Sequence, residues 1–213
     1  MKNNTILIFA LLLCCTSLFA QYVDHRNRGV DSLEHLLATN PPSGEALGRV
    51  YRDLMWGYLQ INIEKSTDYA RKCIEIAIPL DGWKAVCDGY CILGFNFDSS
   101  AQYDSALVYY NKALDAAERM KDFPQKYNQL GIDDYFSSLY GTIGNHYNIQ
   151  GKYHEAIEYY QKAIRLFEKW DWKQSQTIAY RNIGAMYLSM GNYQQAEQNL
   201  IKAGFLRKNR VIH

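Results

Sequence analysis

The feature that most constrains the fold of this chain is a pattern of aromatic and small residues that occurs three times without gaps. Each copy has an aromatic residue, a Leu or Ile followed by Gly three positions later, a second aromatic residue, and small residues nine and sixteen positions after that. The matched residues are Tyr90, Gly94, Phe97, Ala106 and Ala113; Tyr140, Gly144, Tyr147, Ala156 and Ala163; and Tyr180, Gly184, Tyr187, Ala196 and Ala203. Such a repeat predicts an array in which each copy buries its apolar face against its neighbours.

The small residues predict where the two helices of one copy come closest. The glycine of each copy falls on the first helix, where a side chain would hold the two backbones apart. The first alanine of each copy has the same role on the second helix. Gly151 and Gly191 follow the first helices of their copies, and a residue with positive φ ends a helix there without strain.

A weaker copy precedes these three. Tyr51, Leu54 and Tyr58 match its first helix and Ser66 matches its second, but Met55 replaces the glycine. End copies of a repeat array are commonly atypical because one side of them has no neighbouring copy. We number the copies one to four along the chain, and they lie near residues 48–82, 87–120, 137–170 and 177–209.

The spacing of the copies predicts an insertion between copies two and three. Copies one and two are offset by 40 residues, as are copies three and four, whereas copies two and three are offset by 50. The extra residues fall at 121–136, where Pro124 and Gly131 punctuate the chain and a short helix fits between them.

A separate segment at 21–43 precedes the repeats. It contains a predicted short helix, Val30 to Ala38, which ends before Pro41 and Pro42 because the residue before a proline disfavours the helical conformation. Ser43 is positioned to cap the next helix.

The matched positions resemble the signature of tetratricopeptide-repeat (TPR) proteins. The resemblance covers residues 44–209, within a predicted TPR region at 44–213. It implies an all-α fold, a TPR-type α-α superhelix (solenoid) of about four antiparallel helix pairs plus a short N-terminal helix. It also implies a non-catalytic protein that binds another protein or a peptide in a concave groove.

The first 20 residues are typical of a secretory signal peptide. Lys2 supplies the positive start, residues 6–13 are consecutively apolar, and Ala20 precedes the expected cleavage site. The apolar run is too short to span about 30 Å of hydrocarbon, and no later segment is long enough for a transmembrane helix. We therefore expect export to the periplasm. The alternatives are an extracellular protein or a lipid anchor on Cys14 or Cys15.

Charge and motifs argue against several classes of function. After residue 20 the chain has 22 basic and 22 acidic residues, so it lacks the basic excess that a nucleic-acid partner requires. The five histidines form no HExxH spacing, and neither a phosphate-binding loop nor a G-x-S-x-G motif is present. We expect no enzyme activity, no cofactor and no metal site.

Three cysteines follow the signal segment: Cys73, Cys87 and Cys91. An odd number cannot form a closed disulfide framework. Cys87 and Cys91 share a helix face at a spacing that would suit a metal, but no His or further Cys lies close enough in the sequence to complete four ligands. We interpret them as small packing residues.

The curvature of a solenoid turns the first helix of each copy toward the groove, so side chains off its packing stripe are candidate ligand contacts. These candidates are Arg49, Arg52 and Trp56 in copy one; Asp88, Cys91 and Phe95 in copy two; Asn145 and Asn148 in copy three; and Arg181, Asn182 and Ala185 in copy four. Asn and Arg on this face resemble the TPR proteins that clamp a C-terminal carboxylate. We expect Asn145 to bind the peptide backbone and Arg181 the carboxylate, the alternative being that both are solvated polar residues.

A narrower resemblance rests on the export signal, the helix at 30–33, Asn40-Pro41-Pro42 and repeats near 40 residues. These features resemble the exported TPR sensor regions of bacterial two-component histidine kinases and related regulators. The alternative function is therefore a truncated sensor module of a signalling or transcription regulator. No polar capping helix follows copy four, so we expect an exposed apolar surface there, covered by self-association, a partner or a further segment.

Overall fold

The computed structural model describes residues 29–208, which form nine α-helices and no strand within that range. The helices are α1 (residues 29–39), α2 (Gly44–Tyr58), α3 (Ile63–Ala77), α4 (Trp83–Ser99), α5 (Tyr103–Arg119), α6 (Gln129–Ile149), α7 (Tyr153–Lys169), α8 (Lys173–Ser189) and α9 (Tyr193–Lys208). Short 3-10 segments at Ile78–Leu80 and Met120–Asp122 follow α3 and α5. The predicted all-α fold of consecutive helix pairs behind a short N-terminal helix is confirmed. The predicted signal peptide lies outside the described residues.

The chain divides into two compact units, one ending at Ala85 and the other beginning at Val86. Within the described range the first unit contains α1, α2, α3 and the first residues of α4. The second unit contains the rest of α4 and the five helices that follow it. Copy one therefore belongs to the first unit, and copies two to four belong to the second.

The first unit has an apolar core where α1 packs on the pair formed by α2 and α3. Val30, Val50, Leu54 and Tyr58 are buried in it. The close approach of α1 depends on Gly57, because a Cβ atom there would lie 2.6 Å from Cγ2 of Val30. The short N-terminal helix is therefore part of the packed fold of this unit.

A polar cluster around Glu34 completes the attachment of α1. The Glu34 carboxylate accepts hydrogen bonds from Tyr58 Oη at 2.6 Å, Lys65 Nζ at 2.9 Å and Tyr69 Oη at 3.1 Å. The hydrogen bonds from Tyr58 and Lys65 lower the pKa of Glu34. Burial and the neighbouring Glu34 charge raise the pKa of Tyr69 to about 12. A carboxylate with three donors thus joins α1, α2 and α3.

We expect Glu34→Gln to lower the free energy of unfolding by about 1 kcal/mol at neutral pH, because a charged acceptor binds its donors more strongly than an amide does. Since folding lowers the pKa of Glu34, the wild-type advantage is complete above the ordinary value of 4.5 and is lost as the pH falls through the folded value. Urea denaturation at several pH values measures this difference. Glu75→Gln, at an exposed glutamate of α3, is the control. A Glu34→Gln effect that did not depend on pH would contradict the role of the charge.

The second unit consists of three helix pairs whose members touch at the predicted glycines. A Cβ atom at Gly94 would lie 2.5 Å from the ring of Tyr110, and one at Gly144 would lie 3.1 Å from the ring of Tyr160. The same crowding occurs at Gly184 in copy four. The prediction that these glycines let the first helix of a copy approach the second is therefore confirmed.

In copies two to four, the turn between the paired helices contains a left-handed residue. Gly151 has a φ of 72° and Gly191 a φ of 73°, as their position after the first helix predicts. Ala101 occupies the equivalent position of copy two with a φ of 55°. A residue with a Cβ atom bears a cost of about 1 kcal/mol in this conformation, so copy two makes the same turn less favourably.

The segment predicted as an insertion, 121–136, contains a loop and the start of a long helix. Helix α6 begins at Gln129, so Gly131 lies in its first turn. The expectation that a short helix fits between Pro124 and Gly131 is therefore wrong. The physical reason is capping, because Oδ1 of Asn128 accepts a hydrogen bond from the Gly131 N–H at 2.8 Å and begins the helix there.

Asp133 attaches this additional part of α6 to the end of α7. Its buried carboxylate accepts hydrogen bonds from Gln129 Nε2 at 2.7 Å, Lys169 Nζ at 2.5 Å and Trp170 Nε1 at 2.8 Å. Burial alone would raise the pKa of Asp133, but the three donors bring it below its ordinary value. This charged hydrogen-bond cluster therefore holds the additional N-terminal part of α6 against the C-terminal end of α7, within copy three.

Apolar side chains are exposed on α9. Ile201 is 62% exposed and Phe205 is 66% exposed, and Leu200 is partly exposed beside them. Ile201 and Phe205 lie four residues apart and so share one face of the helix. An exposed apolar surface near the end of copy four agrees with the sequence prediction, and the identity of what covers it stays a prediction.

Candidate functional site

In the first unit, helix α2 carries the three predicted residues of copy one. Nη1 of Arg49 lies 3.9 Å from Glu45, and Nε of Arg52 lies 3.8 Å from Asp53. Long ion pairs with exposed partners contribute little, so both guanidinium groups can still bind a ligand. Trp56 is exposed on the same helix.

In the second unit, the remaining predicted residues lie on α4, α6 and α8, the first helices of copies two to four. We call this set of residues the first-helix face: Asp88, Cys91, Phe95, Asn145, Asn148, Arg181, Asn182 and Ala185. Phe95, Asn145, Arg181 and Ala185 are exposed, and the other members are half-buried. All of them are thus at least partly accessible, as a contact surface requires.

The structure connects two of the predicted residues through a tyrosine that the sequence analysis did not assign to the site. The Tyr160 hydroxyl donates to Oδ1 of Asn145 and accepts from Nδ2 of Asn182 at 3.2 Å. Asn145 and Asn182 therefore share one hydrogen-bond network, and the expected roles of Asn145 and Arg181 as ligand contacts stay predictions. Burial raises the pKa of Tyr160, so its hydroxyl keeps its proton and can donate.

Arg181 lies on an exposed stripe of α8. Ile178 and Ala185 lie three and four residues from it and Leu188 lies three residues beyond Ala185, and Ile178 and Leu188 are each 47% exposed. Between residues 29 and 208, Arg181 has no ion-pair partner. A guanidinium group that is accessible and unpaired, with apolar neighbours, is suited to binding a carboxylate.

A buried cluster around His146 was missed by the sequence analysis. His146 is 2% exposed, and its Nδ1 lies 2.6 Å from Oδ1 of Asp98. Nε2 of Gln150 lies 2.8 Å from the other ring nitrogen. Because an amide nitrogen can only donate, the ring accepts there and carries its proton on the Asp98 side. Tyr110 also donates to Asp98, at 2.8 Å, so the cluster joins α4, α5 and α6.

In each of the four copies, a lysine of the second helix lies above one or two tyrosine rings of the same copy. The ammonium-to-centroid distances are 6.0 and 5.2 Å from Lys72 to Tyr51 and Tyr69, 5.7 and 5.1 Å from Lys112 to Tyr90 and Tyr109, 5.9 and 4.2 Å from Lys162 to Tyr140 and Tyr159, and 5.3 Å from Lys202 to Tyr180. These distances are those of cation–π contacts. Copies one to three place two rings under the lysine, and copy four places one.

The difference in copy four arises from one residue. In copies one to three, a tyrosine on the second helix lies between the two signature aromatics of the first helix. The ring-centroid distances are 5.8 and 5.9 Å from Tyr69 to Tyr51 and Tyr58, 6.3 and 5.2 Å from Tyr109 to Tyr90 and Phe97, and 6.2 and 5.6 Å from Tyr159 to Tyr140 and Tyr147. Copy four has Asn199 at this position.

The missing ring coincides with a groove. A cavity of about 410 Å³ lies among α7, α8 and α9, and Tyr180, Tyr187, Asn199 and Lys202 all line it. We call these four residues the open slot. The rest of the lining is mainly polar and includes Gln161, Arg165, Gln195 and Gln198. The groove is thus lined by two aromatic rings and by amide and basic side chains.

The sequence contains a signal that could have located this groove. In copies one to three, the first small residue of the second helix is followed by a tyrosine three positions later and by a lysine six positions later. In copy one these two residues are Tyr69 and Lys72. Asn199 is the departure from that register. The TPR signature does not include these two positions.

Other chemistry is sparse within residues 29–208. Groups of three or more His, Cys, Asp or Glu side chains that could hold a metal ion are not found there, and none of those helices has the length and hydropathy to cross a membrane. Cys73 and Cys87 are buried, and burial raises the pKa of Cys87, which fits the interpretation of packing residues.

Comparison with known proteins finds a family match in part of the repeat region. A family model for the tetratricopeptide repeat matches residues 135–203, which include copy three and most of copy four. The protein O-mannosyl-transferase Tmtc3 of Drosophila melanogaster is 26% identical over 132 residues, which are 54% of this chain and 14% of that protein. This chain therefore spans a small part of that relative.

Two solved structures show the same fold at low identity. Aspartyl phosphate phosphatase F from Bacillus subtilis has a TM-score of 0.71 at 20% identity, covering 91% of this chain and 49% of that one. A Rap protein complexed with competence and sporulation factor has a TM-score of 0.68 at 18% identity, covering 94% and 53%. This chain spans about half the length of each. They show the fold, and the family match shows tetratricopeptide repeats within residues 135–203.

Proposed function

We propose that this chain is a non-catalytic TPR scaffold that binds a protein or peptide partner outside the cytoplasm. The observation that carries the proposal is Arg181, which is exposed between Ile178 and Leu188 without an ion-pair partner in residues 29–208. A planar guanidinium group beside apolar side chains suits the carboxylate at the end of an apolar peptide. The Rap protein, which shares this fold, is complexed with a factor, and that supports a binding role.

The hydrogen bonds of Asn145 support its expected role in this surface. Because the Tyr160 hydroxyl donates to Oδ1 of Asn145, the orientation of the amide is fixed and its Nδ2 hydrogens remain for a ligand carbonyl group. An amide that is already oriented loses less rotational freedom when it binds. Asn145 would then bind the backbone of the partner and Arg181 its carboxylate.

The location and the wider biological role rest on the sequence. The signal-peptide pattern at residues 1–20 supports export, and the lipid anchor on Cys14 or Cys15 remains its alternative. The sensor module of a regulator stays a prediction from resemblance. Either role would use the same surface, because a sensor must also bind its signal.

We expect Arg181→Ala to abolish the preference of the protein for a free carboxylate. The test presents a mixed-sequence pentapeptide library in two forms, with free and with amidated C-termini, and identifies bound peptides by affinity selection and mass spectrometry. Charged bidentate contacts contribute about 1.5 to 3 kcal/mol, so the free form should bind roughly tenfold or more tightly to the wild type. Asn145→Ala should weaken both forms.

The matched control is Arg71→Ala, which removes an exposed arginine from the second helix of copy one. It should leave both peptide forms bound as in the wild type. Equal retention of free and amidated peptides by the wild type, or an unchanged preference in Arg181→Ala, would refute the assignment of the first-helix face.

A further inference from the structure

The open slot lacks a ring that the other copies supply from their own chain. In copy three, Tyr159 lies between Tyr140 and Tyr147 and under Lys162, with its centroid 4.2 Å from the ammonium nitrogen. The equivalent position of copy four is Asn199. Everything else in the arrangement is retained there, since Tyr180, Tyr187 and Lys202 line one groove.

Asn199 does not replace the missing ring. Its Nδ2 donates to the main-chain carbonyl of Gln195, at 2.8 Å, on the preceding turn of α9. The amide is thus bonded to its own helix, and it has far less apolar surface than a tyrosine. The two rings of α8 therefore face a groove of about 410 Å³ where the earlier copies have a packed side chain.

The chemistry of the slot selects an aromatic ring over an aliphatic side chain. Aromatic pairs prefer offset or tilted arrangements at centroid separations of about 4.5 to 7 Å, and the first three copies show such geometry around their middle ring. Lys202 lies 5.3 Å from the Tyr180 centroid, which places a cation at the edge of the slot. A ligand ring would gain both contacts.

The other residues that line the groove favour a peptide that carries negative charge. Gln161 and Gln198 supply amides of the kind that bind a peptide backbone, and Arg165 has no ion-pair partner in the described part of the chain. The one acidic lining residue, Glu168, accepts a hydrogen bond from the Tyr180 hydroxyl at 3.0 Å. The groove therefore presents two cationic groups and one engaged carboxylate.

We propose that the open slot is a second binding site, which receives a tyrosine side chain from an acidic segment of a partner protein. The ligand ring lies between Tyr180 and Tyr187, under Lys202, where Tyr159 lies in copy three. A carboxylate next to the tyrosine in the partner pairs with Arg165. This site is separate from the first-helix face, so the two proposals stand or fall independently.

The test uses the capped peptide acetyl-Ser-Glu-Tyr-Gly-Ser-amide and a second peptide with Leu in place of Tyr. Saturation-transfer NMR with the wild-type chain should show strong transfer to the tyrosine ring protons, and titration should give about tenfold weaker binding of the Leu peptide. Asn199→Tyr should fill the slot from within and weaken binding of the Tyr peptide by at least about tenfold. Lys202→Ala, which leaves the slot empty, should weaken it about three- to tenfold.

Asn111→Tyr is the control, since it adds a tyrosine at an exposed position of α5 in the same unit. It should bind the Tyr peptide as the wild type does. Equal binding by wild type and Asn199→Tyr, or no transfer to the ring protons in the wild type, would overturn the proposal. A wild-type dimer that becomes a monomer in Asn199→Tyr, seen by sedimentation, would assign the slot to a second copy of this chain and overturn the partner.

Discussion

Replacement of His146 by alanine is expected to lower the free energy of unfolding by about 3 to 5 kcal/mol. Two losses combine. The imidazole is buried, so its removal leaves a cavity among the aromatic rings of Tyr103, Tyr110 and Tyr147. The Asp98 carboxylate, whose side chain is 10% exposed, also loses the donor at 2.6 Å, and a mostly buried acceptor bears a desolvation cost when it loses a donor.

Urea denaturation followed by far-UV circular dichroism measures this effect. His154→Ala is the matched control, because His154 is an exposed histidine of α7, and its replacement should change the stability by less than about 0.5 kcal/mol. A loss below about 1 kcal/mol in His146→Ala would show that the Asp98–His146 contact does not stabilise the junction between copies two and three.

Gly94→Ala is expected to destabilise the second unit by about 2 to 3 kcal/mol. The added methyl group would lie 2.5 Å and 2.6 Å from two ring carbons of Tyr110. That ring cannot move aside without cost, because it is buried and its hydroxyl donates to Asp98 at 2.8 Å. The helices α4 and α5 would have to separate, and the contact that defines the copy would be lost.

The control for this change is another glycine in a first helix. A Cβ atom at Gly141 would meet nothing within 4 Å. Alanine is the better helix former, so Gly141→Ala should stabilise the protein by about 0.5 to 1 kcal/mol. Thermal or urea denaturation of the two variants should therefore give changes of opposite sign. Changes of the same sign would show that helix propensity, and not the space around the glycine, decides the outcome.

Much of the fold could be predicted because the repeated residues report backbone contacts directly. A glycine such as Gly144 lies where a Cβ atom would be only 3.1 Å from the ring of Tyr160, so its spacing marks the close contact of a helix pair. The start of α6 could not be predicted in the same way. The cap supplied by Asn128 outweighed the punctuation suggested by Pro124 and Gly131, and side-chain capping depends on local geometry that composition does not show.

The candidate site could be predicted only in part. The periodicity of a first helix indicates which side chains leave the packing stripe, and Asn145 and Arg181 are exposed as expected. The link from Asn145 to Asn182 required knowledge of where the hydroxyl of Tyr160 points, which depends on the packing of two copies against each other. The open slot required knowledge that the tyrosines of the second helices lie between rings, which alignment alone does not reveal.

The second-helix tyrosines that contact the glycines have a consequence for how this array can evolve. The hydroxyl of Tyr110 reaches Asp98, which also binds His146 of the following copy, whereas the hydroxyl of Tyr160 reaches two asparagines. Each of these two junctions in the second unit therefore has its own polar contacts, built from residues at different positions of the repeat. If a copy were deleted, duplicated or moved, the polar side chains at a junction would face residues that do not complement them. Buried polar atoms would then lose their hydrogen-bond partners. Although the copies share one signature, the polar contacts between copies two, three and four thus require them to follow one another in that order.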